Sequence, residues 1–214
     1  VTQAVATNHH EPIEHTSTGL NSRKLMMWVF LGSDVMFFGA FIATYLVYRG
    51  KSLVGPYPSE VLDIPITTVS TFVLLMSSLA MVLALHYVKD GERNKATFWI
   101  MVVVVLGAIF MGFQFYEFRH FGQLGLTPRT NIFGTTFFIL TGIHGAHVTI
   151  GVIWMAFMAY SSHKGALRRD NALDLEIAGL YWHFVDIVWI VIFTVIYLVS
   201  ANDTPPPGME SVIH

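Results

Sequence analysis

The side chains in this sequence that could do chemistry fall in a few places. His183 and Asp186 sit three residues apart in LYWHFVDIVWIVIFTVIYLVS (residues 180–200), an otherwise almost wholly apolar stretch. His144 and His147 have the same spacing in FGTTFFILTGIHGAHVTIG (residues 133–151). Side chains three apart on a helix share a face, so each pair can converge on one ligand or one partner. Glu117-Phe-Arg-His120 has the Glu-x-x-His spacing of di-iron helices. Asp34 stands by itself in an apolar stretch, and His9, His10 and His15 lie among Glu11, Pro12 and Glu14 near the N-terminus. Those last three could bind a metal weakly, but a solvated tail is the plainer reading.

Four kinds of chemistry are open to this set. A metal site could combine Glu117 and His120 with His144 and His147. A haem could be ligated by His144 or His147 on one helix and His183 on another. The same residues could form the proton or ion path of a transporter. They could also hydrogen-bond one another, the backbone or lipid headgroups, and so make a bundle rigid. Residue types alone favour this last, structural reading.

Which reading survives depends on the elements that carry these residues. The chain has 214 residues, of which 54% are hydrophobic and only 12% charged, half the roughly 25% charge of soluble domains. That composition is of an integral membrane protein. The net charge of −2 gives no basis for nucleic-acid binding. The absence of cysteine excludes disulfides, thiolate metal sites, iron–sulfur clusters and covalent c-type haem attachment.

Five stretches are long enough to cross a bilayer as helices, which takes roughly 20 residues: about 25–48, 66–87, 96–118, 132–160 and 175–200. The predicted fold is therefore all-α, an integral membrane bundle of five transmembrane helices in one domain (25–200). Residues 1–24 are polar and aperiodic, which predicts a mobile tail and no cleavable signal. Residues 201–214 carry Pro205–Pro207 and form a non-helical C-terminal tail. Thr67, Thr71, Ser77 and Ser78 make the second span a packing surface. Ala108 with Gly112, and Gly142, Gly145 and Gly151, are the expected points of close helix approach.

Charge orients the bundle. Arg23, Lys24, Lys89, Arg93, Lys95, Lys164, Arg168 and Arg169 fall on the N-terminal side, and Arg49, Lys51, Arg119 and Arg129 on the other. The positive-inside rule then puts the N-terminus in the cytoplasm and the C-terminus outside. With that topology Asp34, His144, His147, His183 and Asp186 all lie in the middle third of the bilayer. Gln114 and Glu117 lie toward the outer face, with Glu117 roughly 15 Å or more from the central histidines at 1.5 Å rise per residue. Depth thus counts against a shared metal site but leaves the bis-histidine haem open. No inverted repeat or broken helix pair supports a transporter.

The spans together resemble subunit III of the haem-copper respiratory oxidases in its short, five-helix bacterial form. The residues that carry the likeness are Gly32-Ser33-Asp34 followed by FFGAF, Ala43–Tyr45, Leu74–Ser78, Gly112–Phe118, Phe133–Gly151 and Tyr181–Tyr197. The resemblance implies a non-catalytic subunit that binds no haem or copper of its own, these belonging to subunits I and II. It implies packing against subunit I, lipid held in a cleft between the first two spans and the other three, and support of turnover and proton uptake. Phospholipid is the expected bound small molecule, the bacterial cytoplasmic (inner) membrane the location, and a respiratory supercomplex a further setting. The family's acid in the first span is commonly Glu; Asp34, one methylene shorter, takes its place. Asp34, Glu117, His144, His147, His183 and Asp186 are then intramembrane polar or lipid-cleft residues. Cytochrome c oxidases and quinol oxidases look alike on these motifs, and frequency alone leans to cytochrome c as donor.

Overall fold

Asn21, Asp63 and Asn131 mark where three of the helices begin. Each offers a side-chain oxygen to a backbone N–H two or three residues on, of Arg23, Ile66 and Gly134 respectively. Such caps satisfy one of the donors that a helix start leaves unpaired. The structure, a computed structural model, describes residues 21–52, 58, 62–165, 167 and 172–200. They form α1 (Ser22–Tyr48), α2 (Ile64–Lys89), α3 (Arg93–Gln123), α4 (Ile132–His163) and α5 (Ala172–Ile192). A π-helical stretch, Phe193–Val199, continues α5. Five helices are thus long and apolar enough to cross a membrane. Pro65 sits in the first turn of α2, where its missing N–H costs nothing.

Residues 22–24, expected in the tail, instead form the first turn of α1. Ion pairs hold them there: Arg23 to Asp174 and Lys24 to Glu176, each at 2.6 Å. The rest of both expected tails, residues 1–20 and 201–214, lies outside the described residues, as do Arg168 and Arg169.

The turn between α2 and α3 is short and closes on Gly91, whose φ of +81° suits only glycine well. The two helices therefore run side by side as the most extensive pair, and α3 packs in turn on α4. α5 touches α2, α4 and α1 and is the centre of the bundle. α1 lies across α4 and α5. This corrects the cleft implied by the resemblance, which would have set the first two helices apart from the other three. The reason is local. The hydroxyls of α2 receive the indoles of α5: Trp182 Nε1 donates to Ser77 Oγ and Trp189 Nε1 to Thr71 Oγ1, both at 2.9 Å. Buried indole N–H groups need such partners, so α2 belongs to the main bundle and α1 alone is peripheral.

The glycines repeat the point. A Cβ on Gly107 would come within 2.8 Å of Trp182, and one on Gly151 equally close. These two positions let the largest core side chain in. Gly145 performs the same service for the side chain of Gln114. Ala108 and Gly112, expected to be a close-contact pair, face outward, and neither Gly112 nor Gly142 has a neighbour that a Cβ would meet. The contact face of α3 is one residue earlier, because Gly107 rather than Ala108 points at α4 and α5.

Candidate functional site

Five spans place the polar residues in separate couples rather than in one cluster. The first lies between α2 and α5. Ser78 Oγ stands 2.7 Å from His183 Nδ1 and 2.5 Å from Asp186 Oδ2. A hydroxyl has one hydrogen to give and lone pairs to receive with. Ser78 therefore donates to one partner and accepts from the other, which makes His183–Ser78–Asp186 a single hydrogen-bonded unit. Asp186 is 3% exposed, and its second oxygen, Oδ1, has no hydrogen-bond partner among the described residues.

The second couple joins α1 to α4. His147 Nδ1 stands 2.9 Å from the carbonyl of Ile143. A carbonyl can only accept, so Nδ1 carries a hydrogen. In the neutral ring, Nε2 then presents a lone pair toward Asp34 Oδ2, 3.5 Å away. Two lone pairs in such proximity gain nothing. One proton, on either atom, turns the approach into a donor–acceptor couple that closing by a few tenths of an ångström would complete. Phe38 packs edge-on against His147, and Tyr181 donates to the His147 carbonyl at 2.9 Å, so the ring is held from both sides.

The third couple is at the far end of the bundle from the N-terminus. Glu117 of α3 receives the Thr67 hydroxyl of α2 on one oxygen and Tyr197 OH on the other at 3.4 Å. The π-helical stretch re-aims Tyr197 toward this acid. It also brings Ser200 to Tyr45 of α1, whose OH lies 2.8 Å from Ser200 Oγ.

His144 differs from the expected hydrogen-bonding role. It is fully buried, and neither ring nitrogen has a hydrogen-bond partner among the described residues. The ring is instead stacked on Trp189 at 4.9 Å and set edge-on to Phe110. Gln114 donates to the Thr141 carbonyl at 2.8 Å one turn away.

The geometry bears directly on the rival chemistries. Glu117 spends its oxygens on Thr67 and Tyr197, and among the described residues no three His, Asp or Glu converge as metal ligands. His183 turns to α2, His147 to α1 and His144 into an aromatic core, so the pairs a bis-histidine haem would need are not brought face to face. What the sequence understated was the hydroxyls. Ser78 and Thr67 read as packing residues, yet each joins an acid to another helix. Their depth, level with His183 and Glu117, was the available signal.

Polar couples shared between apolar helices, with a core of stacked aromatics, define a polytopic membrane protein whose buried polar groups tie helix to helix. The comparisons make the class specific. The family model for cytochrome c oxidase subunit III matches residues 3–201, and the chain belongs to that family. Among curated proteins, "Probable quinol oxidase subunit 3" of Staphylococcus haemolyticus is 38% identical over 178 residues, 83% of this chain and 89% of that one. The protein of the same name in Staphylococcus saprophyticus is 37% identical over 189 residues, 88% and 94% of the two chains. That of Staphylococcus aureus strain USA300 is 33% identical over 196 residues, 88% and 98%.

Proposed function

We propose that this chain is the non-catalytic subunit III of a proton-pumping haem-copper terminal oxidase in a bacterial cytoplasmic membrane. It packs against subunits I and II, holds no haem or copper itself, and sustains turnover and proton uptake by subunit I. Its N-terminus is cytoplasmic and its C-terminus external. The observation that carries this reading is the family match across the whole five-helix region. The test is removal of the subunit. The depleted oxidase should keep its haems and its initial electron transfer but lose activity during turnover. A complex that assembles no haem without this chain, or that runs indefinitely at full rate, would sink the proposal. A stoichiometric haem on the chain purified alone would do the same. Protease access to tagged termini in oriented vesicles tests the orientation.

For the electron donor, the names of the curated relatives favour quinol over the cytochrome c that frequency suggested. The family description favours cytochrome c. We take quinol as the donor, because the relatives are individual proteins of that name, 33–38% identical along nearly their whole length. Turnover of the purified complex with reduced quinol and not with reduced cytochrome c is expected, together with a subunit II that lacks copper-ligating cysteines.

A further inference from the structure

His183 meets α2 with one ring nitrogen and shows the other to the outside. Nδ1 stands 2.7 Å from Ser78 Oγ. Both residues are half-buried, and His183 Nε2 reaches the surface of the chain with no hydrogen-bond partner among the described residues. A ring nitrogen either donates or accepts, so Nε2 has a hydrogen bond still to make.

Depth decides what can make it. His183 comes 11 residues after Ala172, the start of α5, and Ser78 comes 11 residues before Lys89, the end of α2. At 1.5 Å per residue each is about 16 Å from that helix end, half the roughly 30 Å of a bilayer's hydrocarbon. Lipid ester and phosphate oxygens lie at the edges of that layer, as does water. Histidine lacks the long stem by which lysine and arginine reach them. An acyl chain offers no hydrogen-bonding group, and a polar atom left bare in hydrocarbon is costly.

The surroundings fit a helix. His183 belongs to two short rows that flank the α2–α5 seam: Leu75, Leu79 and Val82 of α2, and His183, Ile187 and Ile190 of α5. Each row has the i, i+4, i+7 spacing of one helix face, and the five aliphatic side chains are all exposed. An aliphatic strip with one polar side chain suits another transmembrane helix, since packing and single hydrogen bonds are what join helices in lipid. A second copy of this chain suits it poorly. A two-fold contact sets a surface against itself, so the imidazole would meet its own kind.

Ser78 sets the sense of the outward bond. When it gives its hydrogen to Asp186, Nδ1 carries the ring hydrogen and Nε2 accepts. When it gives that hydrogen to Nδ1, Asp186 supplies the next one and Nε2 donates. A hydroxyl or amide side chain answers both arrangements, whereas a charged one would add its own cost of leaving water.

We propose that the α2–α5 seam around His183 is the docking strip for a transmembrane helix of another subunit of the oxidase, one that carries a hydroxyl or amide side chain level with His183. The existence of such a subunit rests on the oxidase reading above; the need for a polar neighbour follows from this chain alone.

Three substitutions at His183 test it in the purified oxidase complex. His183→Asn keeps an amide where Nδ1 meets Ser78 but has nothing at the place of Nε2. His183→Gln reaches that place, and His183→Leu has neither group. Native mass spectrometry reads the fraction of complexes that keep the chain on dilution in detergent. The Asn and Leu variants should be held about tenfold less tightly than wild type, and the Gln variant within about twofold. Melting of the full chain on its own should be unchanged by His183→Asn. A photoreactive side chain placed at Leu79 or at Ile187 should cross-link to a membrane span of another subunit. Retention of His183→Asn equal to wild type would overturn the proposal, as would release of His183→Gln to the same degree as His183→Leu. Cross-links to lipid or to a second copy alone would overturn it too, and a lower melting temperature of the isolated Asn variant would make the role internal. A cross-linked partner in a complex without haem would instead sink the oxidase reading and leave the docking strip standing.

Discussion

α5 and α1 are both apolar helices crossing the same bundle, and they are held in it by different physics. Of the 21 residues of α5, twelve are buried, among them Trp182 and Trp189. Its contact with α2 combines close packing with four side-chain hydrogen bonds, to Thr71, Ser77 and twice to Ser78. α1 is 27 residues long and buries only Leu31, Asp34, Phe38 and Tyr45. Polar ties hold it at its two ends, Lys24 and Arg23 at one and Tyr45 and Arg49 at the other, where Arg49 donates to the Val199 carbonyl at 2.8 Å; in the middle Asp34 faces His147 at 3.5 Å, an approach that a proton on either atom would turn into a third. Within a bilayer apolar surface gains little by leaving lipid for protein, so association rests on fit and on hydrogen bonds. α5 has both. α1 has mainly the second, which makes it the helix most easily displaced.

Removing fit from the central helix should have the largest effect. Trp182→Ala empties a site that Gly107 and Gly151 were cut to receive, and truncations of this kind cost about 3–5 kcal/mol. The subunit should melt far below wild type in detergent or fail to accumulate. A shift of only a degree or two would show that α5 is not the keystone.

The two buried acids come next. Asp186→Ala leaves Ser78 and His183 short of a partner in the tight α2–α5 interface and should cost about 1–3 kcal/mol. Asp34→Ala, at the looser edge, should fall at the lower end of that range. Asn at either position keeps a polar group in place and should cost about 1 kcal/mol or less. Thermal melts of the four variants decide the order, and equal costs for the two alanine variants would erase the contrast drawn here.

A chemical probe sharpens the same contrast. A hydrophobic carbodiimide that enters from the lipid should reach Asp34, at the looser edge of the bundle. Asp186, enclosed between α2 and α5, should remain unlabelled. Peptide mapping after labelling reads this out, and modification of Asp186 in preference to Asp34 would invert the picture of which helix is peripheral.

The smallest effect is expected from the ends of α1. Lys24→Ala and Arg23→Ala remove ion pairs that are partly or largely in water, with about 0–1 kcal/mol at stake and most of it screened by salt. Their melting temperatures should converge with that of wild type in high salt. A large loss that persists in high salt would mean that these pairs, not the mid-span couple, hold α1.

By itself the sequence determined the five spans, the placing of Pro65 and the family likeness. All of these depend on local composition, on what the first turn of a helix tolerates or on a run of apolar residues matched to bilayer thickness. It also marked the ionisable residues within the spans, because an ionisable group in an apolar span is conspicuous wherever it faces. Tertiary structure alone decided the pairings. A helix repeat says that His183 and Asp186 share a face, but not that Ser78 of another helix stands between them. Nor does it say that His147, rather than His144, meets Asp34. The choice of Gly107 over Gly112 as the contact glycine turned on a rotation of α3 that shifts its inward face by one residue, and single-residue rotation leaves no trace in a sequence apolar on every side. For the same reason the membership of α2 in the main bundle, and the isolation of α1, had to wait for the indoles of α5 to be seen seated on the hydroxyls of α2.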